Sequence, residues 1–323
     1  MNFIFSIGLI VGGLFLGQKL RIIVMNKTIK ESVDVSKYMS LIQRIALLGI
    51  NPVITLGAFW GIRLDDMKFI ALPILGAFAI SIGGVLGYIA SKILKHKRNQ
   101  MGSMFVTGAF TNMGNFGGLI CFMFFGEMSY AYVAMYKMFE EILYFLIGYP
   151  IAKLYGSSCE EGNKKNPLVR IATDPFVIVY FSSMVLGGVL NISGIGRPIA
   201  YQKLNEILIP LSSILLITSV GYNMRIKAIG GYLKECFTIA SIKFIIIPVV
   251  ITSTAYVIGL GSIEEGLLLK VVLVLSAMPP AFNSLIPPQI YNLDADLANS
   301  CWMFCNGLLI AVVPVLYFLV KLL

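Results

Sequence analysis

Two short polar clusters interrupt long apolar stretches of the chain. The first is Thr111-Asn112-Met113-Gly114-Asn115-Phe116-Gly117-Gly118, and the second is Ser276-Ala277-Met278-Pro279-Pro280-Ala281-Phe282-Asn283. The amides of Asn112, Asn115 and Asn283 both donate and accept hydrogen bonds. Gly114 tolerates non-helical backbone, and Pro279 and Pro280 remove two successive backbone donors. In an apolar medium this is chemistry for holding a polar ligand, with no nucleophile, base or metal set for making and breaking bonds. Helix halves that begin at such breaks would aim partial positive charge into them, which suits an anion. Two bland readings compete. Gly114 and Gly118 have the small-xxx-small spacing that lets helices touch, as do Gly13/Gly17 and Gly83/Gly87. The proline pair could also mark a kinked helix without a ligand.

Charged residues inside apolar stretches are the second candidate set. Lys137, Glu140 and Glu141 lie together, and Lys243 stands at a comparable depth later in the chain. An isolated charge in hydrocarbon costs at least a few kcal/mol, about 2.5–3.5 on insertion scales. On a regular helix Lys137 pairs with Glu141 at i,i+4, while Glu140 points away and needs another partner or a proton. A carboxyl there could couple a process to protons; an ion pair that only fixes packing is the structural alternative. His96, the one histidine, sits in the run Lys95-His96-Lys97-Arg98 and reads as a solvated loop residue. The five cysteines (Cys121, Cys159, Cys236, Cys301, Cys305) show no disulfide framework or metal spacing. Hydrolase, zinc-protease and phosphate-loop signatures are lacking. Neither a metal nor a cofactor is expected, and the chain does not read as an enzyme.

The elements that must position these residues are membrane helices. Of 323 residues 58% are hydrophobic and 13% charged, with mean hydropathy +0.86. Ten segments are long enough to span or nearly span, near 2–20, 41–62, 69–94, 101–125, 128–153, 175–193, 203–224, 235–259, 267–292 and 297–321. The first lacks a basic leader and a cleavage site, so it reads as a retained helix. Loops on one side carry sixteen basic residues and those on the other carry five, Arg63, Lys68, Arg197, Lys203 and Lys321. The positive-inside rule makes the basic side cytoplasmic and puts both termini outside. The net charge of +9 then reflects topology, and nucleic acid is excluded as a partner.

The segments also repeat. Asn51-Pro52 and Ile209-Pro210 mark the second and seventh, and the two breaks fall in the fourth and ninth. Five segments per half is an odd number, so the halves enter from opposite sides and the repeats are inverted. The expected fold is all-α, with a first repeat at 1–153, a polar linker at 154–174 and a second repeat at 175–323. The basic stretch 21–40 is expected either along the cytoplasmic interface or as a plain surface loop.

The stretch from Gly108 through Thr111-Asn112-Met113-Gly114-Asn115-Phe116-Gly117-Gly118-Leu119 resembles the Asn-x-Gly-x-x-Gly-Leu segment of the auxin efflux carrier family. Ala277-Met278-Pro279-Pro280-Ala281-Phe282-Asn283 resembles its Met-Pro-Pro-Ala-x-Asn segment, and Tyr291 through Ala298 is similar too. The resemblance covers essentially the whole chain. It implies helices 4 and 9 broken and crossing at mid-membrane, with Asn112, Gly114, Asn115, Pro279, Pro280 and Asn283 at the substrate. It also implies a scaffold bundle (1–62 with 175–224) and a transport bundle (69–153 with 235–323). The function it implies is secondary transport of a small organic anion such as a carboxylate, by alternating access. A proton or sodium ion would be the coupling ion, and Lys137, Glu140, Glu141 and Lys243 would be coupling or charge-pair residues. The expected location is the plasma (inner) membrane, with homodimerisation an option. Where the family has a proline after Gly-Leu, Ile120 stands here, which weakens the expected first break and leaves both a true unwinding and a softened helix open. Where it often has an acid before Met-Pro-Pro, Leu275 and Ser276 stand, which moves any coupling role to Glu140 and Glu141. A ligand sensor or a channel retaining the fold is the competing class. Reporter fusions should place both termini outside; cytoplasmic signals from both would mean that the count of spans is wrong by at least one pair.

Overall fold

The computed structural model describes residues 3–26, 35–61, 67–156, 173, 175–223 and 230–323. Among these every regular element is a helix or a helical turn. Five helices are long and apolar enough to cross a membrane: Leu41–Gly61, Lys68–Ile93, Ile199–Tyr222, Leu233–Val257 and Ala295–Leu322. Met113–Phe125 and Ile178–Ile192 are shorter apolar helices. Outward faces are as apolar as the interior: Ile74, Ile93, Ile207 and Val249 are each at least 60% exposed. Contiguous apolar surface of this kind is matched to lipid and not to water. The chain is a multi-pass helical membrane protein. Of the stretch 21–40, residues 21–26 continue the first helix, 27–34 lie outside the described residues, and Val35–Arg44 is helical. Most of the expected linker, 157–172, also lies outside them.

The chain gathers into two compact units. One comprises Met1–Leu64, Gly118–Ala131 and Thr173–Met224; the other comprises Asp65–Gly117, Tyr132–Ala172 and Arg225–Leu323. In the first unit, helix Phe3–Asn26 lies against helix Ile199–Asn223 so closely that a Cβ at Gly17 or Gly221 would strike the opposite backbone. Gln18 seals that contact by donating to the Gly221 carbonyl at 2.8 Å. Helix Gly118–Phe125 ends at Gly126, whose φ of 81° is the left-handed C-cap conformation that glycine takes without strain. Just beyond it the Glu127 carboxylate receives both terminal nitrogens of Arg197, Nη2 to Oε2 at 3.1 Å, and Asn205 Nδ2 at 2.8 Å. The Glu127 side chain is 6% exposed and that of Arg197 14%. This bidentate, charge-assisted set is the strong form of an ion pair.

In the second unit, Gly83 and Gly108 press helix Ala71–Ile93 onto helix Arg98–Ala109, where a Cβ on either glycine would strike the other's carbonyl. Asp294 caps helix Ala295–Leu322 through Leu297 N–H at 3.0 Å and also receives Tyr232 Oη and Gln100 Nε2. His96 is not the solvated residue its basic neighbours suggest. Its side chain is 8% exposed, with Nε2 at 2.9 Å from Glu235 Oε1 and Nδ1 at 3.2 Å from Ser91 Oγ. The cause is the left-handed Lys95 (φ 55°), which turns the chain after the helix and carries the ring inward.

Truncating one partner of a covered ion pair leaves the other charge uncompensated. Glu127→Ala should therefore lower unfolding stability in detergent by about 3–5 kcal/mol, with Glu127→Leu/Arg197→Met recovering most of the loss. Denaturant unfolding of the wild type and the two variants checks this; an unchanged Glu127→Ala would show that the pair holds nothing.

Candidate functional site

Both expected breaks are present, and both lie in the second unit. Helix Arg98–Ala109 stops at Phe110, residues 110–112 are extended, and the chain resumes as a wide turn over Met113–Gly117. Helix Leu267–Ser276 stops at Ala277, residues 278–281 are extended, and a tight turn Phe282–Leu285 follows. The extended residues pair with one another as a single antiparallel bridge, Thr111 opposite Pro280. Asn112 N–H donates to Pro279 C=O at 2.8 Å, and Ala281 N–H donates to Phe110 C=O at 3.0 Å. The first break is thus a true unwinding and not a softened helix, although Ile120 replaces the expected proline. Its freed backbone is satisfied by the second break, so it needs no proline of its own.

Thr111 and Pro280 form the pair whose own ladder bonds are made by their neighbours, so the missing N–H of Pro280 is not called upon. The polar groups of such a pair point away from the partner strand. Both of those on Thr111 meet one side chain: its N–H donates to Tyr144 Oη at 2.8 Å, and the Tyr144 hydroxyl lies 3.1 Å from its C=O. Met113 N–H also reaches that carbonyl, at 2.9 Å. On the other strand the Asn306 amide lies 3.5 Å from Pro280 C=O. Every extended peptide group from Phe110 to Asn112 has a partner, as a dry interior demands.

Two lysines meet Thr111–Gly114, and one acid reaches it through Tyr144. Lys243 is 0% exposed and donates to Thr111 Oγ1 at 2.6 Å, with Ala109 C=O at 3.5 Å. Among the described residues no carboxylate forms an ion pair with it. Lys137 lies over Gly114, where a Cβ would sit 2.8 Å from its Nζ. Glu140 does not point away unpartnered: its Oε2 is 3.7 Å from Lys137 Nζ, and its Oε1 takes the Tyr144 hydroxyl at 3.1 Å. The helix is interrupted at 137–139, and Glu140 N–H bonds back to Lys137 C=O at 2.9 Å, which brings i and i+3 together. Glu141 has an interaction of its own and also acts electrostatically on Tyr144.

The asparagines differ. Asn112 is 4% exposed, and its Nδ2 has no hydrogen-bond partner. Asn115 and Asn283 are half-buried, and their side chains make no hydrogen bond among the described residues. Three residues that the sequence reading did not single out complete the site: Thr111, Tyr144 and Asn306. A signal existed for Tyr144, because it follows Glu140 by four residues, one helical turn.

Proline sets the local geometry. Wide, π-type turns cover Ile45–Ile50, Tyr144–Gly148 and Ile242–Ile246, and each ends two residues before a proline: Pro52, Pro150 and Pro248. A proline has no N–H for the carbonyl four residues back and crowds it, so the preceding turn widens by a residue. Two of these turns carry Tyr144 and Lys243.

The chain is 25% identical to the uncharacterized transporter MJ1031 of Methanocaldococcus jannaschii over 240 residues, which is 72% of this chain and 73% of that one. No protein-family model matches it. The chain is therefore a helical membrane protein similar to a transporter, and that similarity points away from an enzyme.

A buried lysine amine without a carboxylate partner among the described residues is a cost that packing does not require. Lys243→Met should leave the melting temperature unchanged or raise it, because apolar replacement of buried charge is often neutral or stabilising by about 1–4 kcal/mol. Thermal unfolding in detergent checks this; a loss above about 3 kcal/mol would make Lys243 a structural residue.

Proposed function

We propose that the protein is a secondary carrier of a small organic anion of the carboxylate class, similar to members of the auxin efflux carrier family. The observation that carries the reading is the pair of broken helices bonded at Thr111 and Pro280, with unspent donors beside them. Asn112 Nδ2 has no partner, and Asn115 and Asn283 keep their amides for other groups. Lys243 and Lys137 put two ammonium groups against the same four residues. Amide donors near fixed positive charge are what a carboxylate needs. Interrupted helices in matching places of two halves are the usual mark of a substrate site in such carriers.

In this reading the ten segments form two inverted five-helix repeats in the inner membrane, both termini outside. The scaffold bundle is 1–62 with 175–224 and the transport bundle 69–153 with 235–323. The chain's two discontinuous compact units resemble this division except that 118–131 falls in the first unit. The substrate meets Asn112, Gly114, Asn115, Pro279, Pro280 and Asn283. A proton or a sodium ion drives the cycle, with Lys137, Glu140, Glu141 and Lys243 as the candidate coupling or charge-pair groups. A homodimer is compatible with this arrangement.

The test is uptake of radiolabelled succinate and indole-3-acetate into proteoliposomes. Asn115→Ala and Asn283→Ala should each cut uptake by roughly fivefold or more, the effect of one lost hydrogen bond to a charged group. Unchanged uptake in both variants would overturn the site.

A further inference from the structure

One hydroxyl serves both the unwound strand and the buried acid. Tyr144 Oη accepts the Thr111 N–H at 2.8 Å and lies 3.1 Å from both Thr111 C=O and Glu140 Oε1. A phenol carries a single proton, so it cannot donate to both acceptors at once. When Glu140 is ionised the proton goes to the carboxylate, the stronger acceptor. Thr111 C=O then keeps only the Met113 N–H, at 2.9 Å. When Glu140 is protonated its carboxyl donates to the phenol oxygen, and the phenol proton turns to Thr111 C=O. The ring cannot swing aside: it is 1% exposed and stacked on Phe110 with centroids 3.9 Å apart.

We propose that Tyr144 is a positioning residue that couples protonation of Glu140 to the hydrogen bonding of the unwound strand at Thr111. This deepens the carrier reading and rests on it for its consequence, a pH-dependent transport step. Few groups face this unit. Lys137 faces Glu140 from the turn before it, at 3.7 Å. Glu141 acts on the phenol from its own helix. Across the strand, Lys243 holds Thr111 Oγ1, and Cys305 is the titratable neighbour of Lys243. Lys243 bonds the side chain of Thr111 and Tyr144 its main chain, so the two inputs reach one residue through different atoms.

The experiment has two readouts on the full-length protein. Infrared spectroscopy follows the protonated carboxyl band across a pH series, with Glu140→Gln identifying the Glu140 contribution. The expected result is a Glu140 band that titrates and moves to higher frequency in Tyr144→Phe, as its hydrogen bond is lost. A band unmoved by Tyr144→Phe overturns the coupling. The second readout is succinate and indole-3-acetate uptake against pH. Tyr144→Phe and Glu140→Gln should each flatten the pH profile and lower peak uptake by about tenfold. The double variant should be no worse than the worse single one, as expected for two members of one linkage. A pH profile retained in full by Tyr144→Phe overturns the proposal, because a merely structural tyrosine would change the rate and not the profile. If neither probe is taken up by the wild type while the band behaves as expected, the carrier reading falls and the coupling stands. If Tyr144→Phe does not fold, Glu140→Gln decides alone: an unchanged pH profile of uptake and an unchanged carboxyl band both overturn the coupling.

Discussion

A backbone N–H or C=O in hydrocarbon has no water to bond with, and each one left open costs several kcal/mol. Two broken helices would leave a row of such groups. Here each break supplies what the other lacks, through the bonds from Asn112 to Pro279 and from Ala281 to Phe110. Neither break is stable by itself in that setting. The prolines at 279 and 280 force one unwinding, which frees acceptors, and those acceptors make the other unwinding tolerable. The rest of the second unit follows from this exchange. The outward groups of Thr111 and Pro280 need partners, and Tyr144, Lys243 and Asn306 are the side chains that meet them.

Those partners are placed by prolines distant from the crossing. Pro150 widens the turn that begins at Tyr144, and Pro248 widens the turn that holds Lys243. A turn widened by one residue rotates the helix face that precedes it by about 100°, roughly a quarter turn, relative to a regular helix. Side chains that regular periodicity would assign to one face are thereby aimed at another. The same displacement occurs before Pro52 in the first unit, where Asn51 accepts from Ser212 at 2.6 Å.

This is why the sequence discloses the breaks better than it discloses their surroundings. Composition and apolar runs show a helical membrane protein, because both depend on residue type alone. Pro279-Pro280 and Asn112 stand out for the same reason. The partnership of Glu140 with Lys137 and Tyr144 was not legible, because the i,i+4 rule presumes a regular helix and the chain is interrupted at 137–139. The burial of His96 was hidden by its basic neighbours, since a charge run says nothing about a left-handed turn inside it. The sequence left the unwinding at 110–112 open because its support is not local: the acceptor at Pro279 lies far along the chain. A reading residue by residue can see a cause within a segment and not one supplied by another segment.

Two cations among the described residues, the half-buried Arg197 and the buried Lys243, stand in different settings. Arg197 meets a carboxylate in a bidentate pair, adds a bond to Gly57 C=O at 3.0 Å, and joins loops of the first unit. Everything its charge requires is provided, and such a pair is sufficiently explained by holding chain segments together. Lys243 is more deeply covered and has only a hydroxyl and a distant carbonyl as partners. Neutral oxygens would compensate a charge there poorly, and a methionine of similar volume would fill its place at no such cost. Lys243 is held against a strand whose neighbouring amide at Asn112 is also unspent, and the proposed carrier site would use both. In that proposal the substrate is small and polar, and negative charge on it would offset positive charge at the site.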